Sequence, residues 1–252
     1  MLNYLVQRSG VEAIWLLIAI AGISVVSYGF GCCNGAIMIS RGILKDDIRK
    51  HGSGNGGLTN FCRIHGGFLS ILVIFIDVAK AVLSLLLAGY IFSYLSPAMV
   101  VPAKYWAAFC CILGHMFPCM FQFRGGKGAM SSGAIALMID WRLALAVWGC
   151  FLICVIATRY ISLGSCAGAV AFPVASILIY KDPIVTVLSI VMALMVLLKH
   201  SGNIVRLCKG TESKFTFKRK GGKTEQNAPE EKVAEEGPAV EAIVENQEET
   251  ES

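Results

Sequence analysis

The sequence is short of charged residues. Lys, Arg, Asp and Glu make up 15% of its 252 residues, whereas 56% of the residues are hydrophobic. This composition, with a mean hydropathy of +0.66, excludes an ordinary soluble domain. The chain is therefore expected to be an integral membrane protein.

The sequence also lacks the motifs of several kinds of site. Its ten cysteines form no Cys-x-x-Cys pair and no Cys/His cluster at zinc spacing, which argues against a metal site or a disulfide framework. The sequence gives only weak support for a nucleotide P-loop, because Gly128 stands where Ser or Thr should follow Lys127. Neither G-x-S-x-G nor His-x-x-x-x-Asp occurs, so two common acyl-transfer motifs are absent. No cofactor and no metal is expected.

Apolar runs dominate what is present. Those that reach or approach the length needed to cross a hydrocarbon core of about 30 Å are residues 11–39, 66–96, 104–121, 143–158, 163–180 and 184–199. A further apolar segment, 129–139, would form only about 16 Å of helix. The sequence predicts an all-α, polytopic membrane helix bundle of about seven transmembrane helices, one of them short.

The positive charges favour one orientation of this bundle. Alternate connections and the segment after the last span carry Arg41, Lys45, Arg49, Lys50, Arg63, Arg124, Lys127, Arg159 and Lys199. The other connections hold only Lys104, Arg142 and Lys181. The positive-inside rule then places the amino terminus outside and the cation-rich loops and carboxyl terminus in the cytoplasm, which requires seven crossings. The short segment is expected to be shielded by its neighbours and to open a wet recess on the cytoplasmic side.

The end of the chain has a different composition. Residues 225–252 contain ten Glu and one Lys, interspersed with Pro, Gly and Gln, and such a segment cannot bury a hydrophobic core. We expect a transmembrane domain over residues 1–212 and a disordered, first basic and then acidic, cytoplasmic tail over 213–252. The membrane part without this tail is strongly basic and attracts anionic head groups and substrates.

Three connections on the cation-rich side share glycine, small hydrogen-bonding side chains and a fixed cation. They are GSGNGGLTNFCR (52–63), GHMFPCMFQFRGGKG (114–128) and KHSGNIVRLCKGTES (199–213). Glycine allows backbone N–H groups to converge on an oxyanion, and Lys or Arg supplies the counter-charge. Taken singly, such a loop is more often a tight turn, but the first one carries more polar groups than a turn needs. We expect the three loops to form one anion site.

The order and spacing of these motifs resemble the bacterial membrane glycerol-3-phosphate acyltransferases that use acyl phosphate, the PlsY family. The resemblance runs from about Ser27 to Lys214. It implies a multi-pass enzyme of the bacterial plasma membrane that transfers a fatty acyl group from acyl phosphate to the 1-hydroxyl of sn-glycerol 3-phosphate. The product would be lysophosphatidic acid, the first intermediate of phospholipid synthesis. Acyl phosphate is a mixed anhydride with a good leaving group, so the chemistry needs positioning and charge stabilisation and no covalent acyl-enzyme.

Residues of the first loop match the family pattern: Ser53, Asn55, Thr59, Asn60 and Arg63. The resemblance implies that Arg63 binds a substrate phosphate and that Ser53 and Asn55 donate to an oxyanion. Thr59 and Asn60 are expected either to bind phosphate or to cap the following helix.

In the second loop, the residues that resemble the family's glycerol-phosphate-binding segment are Gly125, Gly126, Lys127 and Gly128. Lys127 would act as a point charge, and Arg124 stands where the family usually has lysine, a change that keeps the cation. His115, at the end of the third span, is interpreted as structural.

In the third loop, His200 and Asn203 have the i, i+3 spacing that places two side chains on one helical face. The resemblance implies that both are catalytic, with His200 assisting proton transfer or holding a phosphate. Ser201 and Gly202 replace the Arg and Glu that the family commonly has there, which affects local rigidity more than chemistry. Glu212 is expected to be a structural anchor.

One charged pair lies within the second span. Asp77 and Lys80 are also i, i+3, and an unpaired charge at a helix centre costs roughly 2.5 to 3.5 kcal/mol, so they are expected to neutralise each other or face the wet recess. Lys80 is a candidate cation behind the site.

The expected partners are acyl phosphate, sn-glycerol 3-phosphate and membrane lipids, and no nucleic acid. Two other classes stay open at this point, an organophosphate transporter and a structural or regulatory membrane protein. A transporter would predict anion-binding residues in broken helices near mid-membrane and an internal repeat. Within the enzyme interpretation, acyl-CoA or acyl carrier protein is the competing donor.

Overall fold

The computed structural model describes residues 10–215, which form helices and connecting loops without strands. The helices within this range are α1 (Gly10–Cys32), α2 (Gly35–Gly42), α3 (Leu58–Ile64), α4 (Gly67–Leu95), α5 (Val100–Met116), α6 (Ala129–Ile139), α7 (Trp141–Thr158), α8 (Ile161–Tyr180), α9 (Pro183–Lys199) and α10 (Ser201–Cys208). Short 3-10 turns occur at Ile48–Lys50, Pro97–Met99 and Cys119–Phe121. The predicted tail lies outside the described residues from 216 onward.

The predicted fold class is confirmed. Helices α1, α4, α7 and α8, and the segment Pro97–Phe121 that contains α5, are long and apolar enough to cross a membrane. Helices α9 and α10, which are bent by 58° relative to each other, are also long and apolar enough if they are taken together as one span. Helix α6 has 11 residues and coincides with the short segment predicted at 129–139. It packs against α4, α5 and α7, so its backbone is shielded as a truncated span requires.

The predicted first span, 11–39, is wrong as a single helix. It breaks between α1 and α2, where Asn34 accepts a hydrogen bond from the N–H of Ile37 (3.1 Å) and so caps α2. On the other side of the break, the Lys80 ammonium lies 3.1 Å from the Cys33 carbonyl oxygen. Polar groups therefore satisfy the free backbone ends of the two helices inside an apolar run.

The third predicted span, 104–121, lies within the candidate span Pro97–Phe121, but its α-helix ends before residue 121. Helix α5 begins at Val100 and ends at Met116, because Pro118 lacks a backbone N–H and disfavours the helical conformation of the residue before it. The chain after Met116 is therefore free to fold as a loop beside the other motif segments.

Glycine allows two pairs of helices to approach closely. A Cβ at Gly31 of α1 would collide with the Cys111 carbonyl oxygen of α5, and one at Gly114 of α5 would collide with the Tyr28 carbonyl oxygen of α1. Gly164 of α8 would meet α7 in the same way. Small residues at helix contacts are the usual means of tight packing in membranes, and here they hold α1 against α5 and α7 against α8.

Candidate functional site

One cavity of about 790 Å³ is lined by residues of all three motif segments. Its polar end includes Ser53, Asn55, Thr59, Asn60, Arg63, Lys127, Gly128, His200 and Asn203. Segments far apart in sequence thus meet at one place, as the expectation of a shared site requires. No group of three or more potential metal-ligating side chains is found in the described part of the chain.

The first loop is organised by the side chain of Asn60. Its amide nitrogen donates to the carbonyl oxygens of Ile48 (3.2 Å), His51 (3.0 Å) and Asn55 (3.0 Å). Its amide oxygen accepts from the N–H of Ser53 (3.0 Å). Asn60 is 2% exposed, so it satisfies buried backbone groups that would otherwise be costly. It lies within α3 and does not cap it, because the residue before the helix is Gly57.

Arg49 connects the first and second motif loops. Its guanidinium donates to the carbonyl oxygens of Phe121 (2.7 Å) and Arg124 (2.9 Å) and pairs with Asp47 at 2.8 Å. Hydrogen bonds from Arg49 and then Arg41 hold the pKa of Asp47 well below its usual range, against the opposing effect of burial. The carboxylate thus stays charged and keeps the bridging guanidinium in place.

Gly125 and Gly126 pack against His115. The N–H of Gly126 donates to the His115 carbonyl oxygen (3.1 Å), and the N–H of Gly125 donates to the Met116 carbonyl oxygen (3.2 Å). A Cβ at Gly126 would collide with the His115 imidazole. This corrects the expectation that these two glycines offer N–H groups to an anion. They permit a close approach, and Gly128 (φ 80°) makes the left-handed turn into α6.

Lys127 is the cation that projects from this loop into the cavity. Its ammonium donates to the side-chain oxygen of Asn203, so the second and third motifs are in direct contact. Burial lowers the pKa of Lys127, the Arg206 and Arg63 guanidiniums lower it further, and Glu212 opposes them. Two guanidiniums within electrostatic range of a partly desolvated ammonium form a site that an anion stabilises.

Glu212 anchors the third motif. One carboxylate oxygen accepts from Asn203 (2.6 Å) and from Ser162 of α8 (2.8 Å), and the other accepts from Arg206 (2.7 Å). Burial alone would raise the pKa of Glu212, but these hydrogen bonds lower it below its usual value. The expected anchoring role is therefore what the structure shows.

His200 occupies the joint between α9 and α10. Its backbone (φ −95°, ψ 3°) is not helical, so it does not share a helical face with Asn203 as the spacing predicted, although both line the cavity. The imidazole Nδ1 lies 2.8 Å from the Val196 carbonyl oxygen. A carbonyl only accepts, so Nδ1 carries the proton and Nε2 of the neutral ring is an acceptor. Ser201 and Gly202 are exposed beside it.

Asp77 and Lys80 do neutralise each other, at 2.8 Å. Asp77 also accepts from the N–H of Gly35 (3.3 Å), and the Lys80 ammonium lies 2.6 Å from Nδ1 of His115. Asp77 is 1% exposed, and Lys80 and His115 are each 3% exposed. Asp77 and His115 contribute to the cavity wall, so the buried Asp77–Lys80 ion pair lies directly behind the site.

The other end of the cavity is apolar. Among its lining residues there are Val147, Trp148, Phe151, Phe172, Met192 and Val196, which come from α7, α8 and α9. A second cavity, of about 440 Å³ and lined by apolar side chains such as Phe92 and Trp106, shares no lining residue with the first. The motif cavity therefore combines a cationic end with an apolar arm.

Two residues were not predicted from the sequence as members of the site. Arg206 lines the cavity, and its i, i+3 spacing from Asn203 is a signal that could have identified it. Arg49 bridges two loops through backbone carbonyls, for which the sequence carries no signal.

Comparisons with known proteins agree with the motifs. A family model described as glycerol-3-phosphate acyltransferase matches residues 21–210. The glycerol-3-phosphate acyltransferase of Thermoanaerobacter pseudethanolicus is 32% identical over 80% of this chain and 96% of its own length. That of Finegoldia magna is 35% identical over 80% of this chain and 98% of its own.

Solved structures show the same similarity. The crystal structure of PlsY, an integral membrane glycerol 3-phosphate acyltransferase, in its glycerol 3-phosphate form has a TM-score of 0.71 and 26% sequence identity, over 78% of this chain and 96% of that one. The lysophosphatidic acid form has a TM-score of 0.68.

Proposed function

Since this chain belongs to the glycerol-3-phosphate acyltransferase family, we propose that it transfers a fatty acyl group from acyl phosphate to the 1-hydroxyl of sn-glycerol 3-phosphate. The products are lysophosphatidic acid and inorganic phosphate. The acyltransferase activity, in the first step of phospholipid synthesis, follows from the family. The identity of the acyl donor is inferred from the chemistry of the cavity.

The polarity of the cavity supports acyl phosphate as the donor. A single cavity joins Arg63, Lys127 and Arg206 at one end to an apolar arm at the other. Acyl phosphate has the same polarity, with a dianionic head and a long apolar chain. The cationic end also binds the phosphate of the acceptor, since two phosphoryl groups side by side need several cations because their charges repel.

The arrangement of the residues supports a direct displacement. Arg63 and Lys127 hold the two phosphoryl groups, while Ser53 and Asn55 donate to the carbonyl oxygen as it gains negative charge. The 1-hydroxyl oxygen of the acceptor attacks the carbonyl carbon, and its proton passes to Nε2 of His200. The bond between carbonyl carbon and phosphate oxygen then breaks, and phosphate leaves with the electron pair.

Thr59 and Asn60 support the phosphate site differently. Thr59 is exposed at the cavity wall and can donate a hydroxyl, whereas Asn60 maintains the loop that presents Ser53. Gly128 positions Lys127 at the start of α6, and Asn203 orients its ammonium. The acyl chain lies in the apolar arm between α7, α8 and α9, and the amphiphilic donor enters laterally from the bilayer.

The decisive experiment is a donor comparison. The purified full-length protein in lipid is given labelled glycerol 3-phosphate with acyl phosphate, acyl-CoA or acyl carrier protein as the donor. We expect labelled lysophosphatidic acid from acyl phosphate alone. Product from either thioester, with none from acyl phosphate, contradicts the donor assignment. Uptake of label into sealed vesicles without acylation would instead identify an organophosphate transporter.

We also propose that the enzyme is a multi-pass protein of the bacterial plasma membrane with the amino terminus outside and the motif loops in the cytoplasm. The cation distribution supports this orientation. Cys208, at the end of α10, is exposed, as is Ala98, between α4 and α5. A membrane-impermeant maleimide applied to intact spheroplasts should label an Ala98→Cys variant of a chain that lacks its other cysteines, and should not label Cys208 retained alone. The reverse pattern contradicts the orientation.

A further inference from the structure

We propose that His115 is a further substrate-binding residue, whose Nε2–H donates a hydrogen bond to an anionic phosphoryl oxygen held beside Lys127. This inference rests on the proposed function, because it assigns a group to the substrates of that reaction. Its sequence context had indicated only a structural histidine.

The contact with Lys80 fixes the position of the proton on the His115 imidazole. Nδ1 of His115 lies 2.6 Å from the Lys80 ammonium, which pairs with Asp77 at 2.8 Å. An ammonium group has three donors and no acceptor, so Nδ1 must accept and carries no proton. The proton of the neutral imidazole is therefore on Nε2, and the ion pair fixes this tautomer.

Nε2 of His115 faces the loop that carries Lys127. Nε2 is the atom that a Cβ at Gly126 would strike first, and Cδ2 of the ring lies near Gly128. The ring edge thus faces the backbone on either side of Lys127. His115 also lines the motif cavity, and its side chain is 4% exposed. Within residues 10–215, Lys80 is the hydrogen-bond partner of its ring, through Nδ1, and none is found for Nε2.

The donor at Nε2 and the buried ion pair both favour a binding role. An N–H group at a cavity wall, with no partner in the described part of the chain, gains about 1.5 to 3 kcal/mol from a hydrogen bond to a charged acceptor. A charged pair inside a membrane helix is costly, and such residues usually mark a functional site. Both features are explained together if the ion pair holds His115 so that its donor meets an oxyanion. A phosphoryl oxygen fits, because Lys127 already provides the counter-charge beside it.

Two substitutions at His115 separate this role from a structural one. The side-chain amide of Asn occupies the position of Nδ1, so His115→Asn keeps an acceptor for Lys80 and removes the cavity-facing donor. The amide of Gln reaches the position of Nε2, so His115→Gln keeps the donor and loses the contact with Lys80. A binding role predicts that Gln is better tolerated than Asn, and a structural role predicts the opposite order.

We expect His115→Asn to lower kcat/KM by about 10- to 100-fold, the usual effect of losing a hydrogen bond to a charged group, and His115→Gln to retain at least a third of wild-type kcat/KM. A rise confined to the KM for glycerol 3-phosphate assigns the hydrogen bond to the acceptor phosphate. A rise confined to the KM for acyl phosphate assigns it to the donor. Equal activities of the two variants, or higher activity of His115→Asn, overturn the inference.

A measurement on the unmodified protein covers the case in which the variants do not fold. Histidine labelled with ¹⁵N can be followed by NMR, with resonances assigned by single variants of His51, His65 and His200. Adding glycerol 3-phosphate, or an alkyl phosphonate as a stable analogue of the donor, should shift the Nε2–H proton of His115 downfield. No shift with either compound overturns the inference. A wild-type protein that is inactive with every donor contradicts the proposed function itself, whereas an active one with a normal His115→Asn variant contradicts only this inference.

Discussion

His115 and His200 lie in the walls of one cavity but have opposite hydrogen-bonding polarity. Nδ1 of His115 accepts from the Lys80 ammonium, whereas Nδ1 of His200 donates to the Val196 carbonyl oxygen. The remaining nitrogen, Nε2, is consequently a donor in His115 and an acceptor in His200. The comparison shows that the partner of one ring nitrogen decides what the other can do, so identical side chains in one site take different roles.

The two walls are also braced differently. Behind His115 is a fully buried ion pair within a membrane helix, Asp77 with Lys80. Beside His200 is Glu212, whose partner Arg206 is 41% exposed at its side chain. Loss of one partner of the Asp77–Lys80 pair is therefore expected to lower the free energy of unfolding strongly. Water is expected to replace part of the Arg206–Glu212 interaction.

The largest effect is expected at His200. If its Nε2 takes the proton of the attacking hydroxyl, neither Asn nor Gln can replace it, and both His200→Asn and His200→Gln should lower kcat by about 10²- to 10⁴-fold. Steady-state assays with both substrates saturating test this. If His200→Gln and His115→Gln both keep near-normal turnover, both histidines act only as hydrogen-bonding groups, and the proposed difference between them is contradicted.

The next largest effect is expected at the cations between the two walls. Lys127→Gln and Arg63→Gln should each lower kcat/KM by about 10²-fold, because a charge that holds a phosphoryl group is lost. Arg124→Gln is the matched control, since that side chain is exposed and the neighbouring loop uses its backbone oxygen. A control that loses as much activity as Lys127→Gln would show that the whole loop, and not a particular cation, is sensitive.

The buried brace is tested by stability and not by turnover. Asp77→Asn leaves the Lys80 ammonium buried without its counter-charge, which should lower the free energy of unfolding by about 3 to 5 kcal/mol. Denaturation in mixed micelles measures this. The double variant Asp77→Asn/Lys80→Met removes both charges and should recover much of the loss. If Asp77→Asn is as stable as wild type, the ion pair does not brace the His115 wall.

Much of this architecture was predictable from sequence. The apolar segment 129–139, together with a charge distribution that requires a seventh crossing, predicted α6, and the i, i+3 spacing of Asp77 and Lys80 indicated their pairing. The break after Cys32 was not predictable, because it depends on Lys80, 47 residues away in sequence, and hydropathy does not register such a contact. The tautomer of His115 likewise depends on a pairing that only the folded chain creates.

The amide of Asn60 illustrates the same limit in the site itself. Its pattern in the first loop could indicate phosphate binding or a helix cap, and only the folded loop shows that the amide is used by four backbone groups. Similarly, the glycines before Lys127 were recognisable as a motif. Their reason, the close approach of the His115 ring, is a three-dimensional fact.

The smallest effect is expected at the Glu212 brace. Glu212→Gln keeps acceptors for Asn203 and Ser162 but loses the charge that faces Arg206, so the free energy of unfolding should fall by at most about 1 kcal/mol near pH 7. Thermal unfolding of the two proteins across a pH series measures the difference.

The stability difference between wild type and Glu212→Gln should depend on pH through the pKa of Glu212. The pKa of Glu212 is lower in the folded protein than its usual 4.5, so its contribution to stability is complete above about that pH and is lost as the pH falls through the folded value. The wild type should therefore exceed Glu212→Gln at pH 7, and the two should converge under acid. If the stability difference between wild type and Glu212→Gln instead grows on acidification, the Glu212 carboxylate does not stabilise the folded protein. That result would contradict its supporting role beside His200.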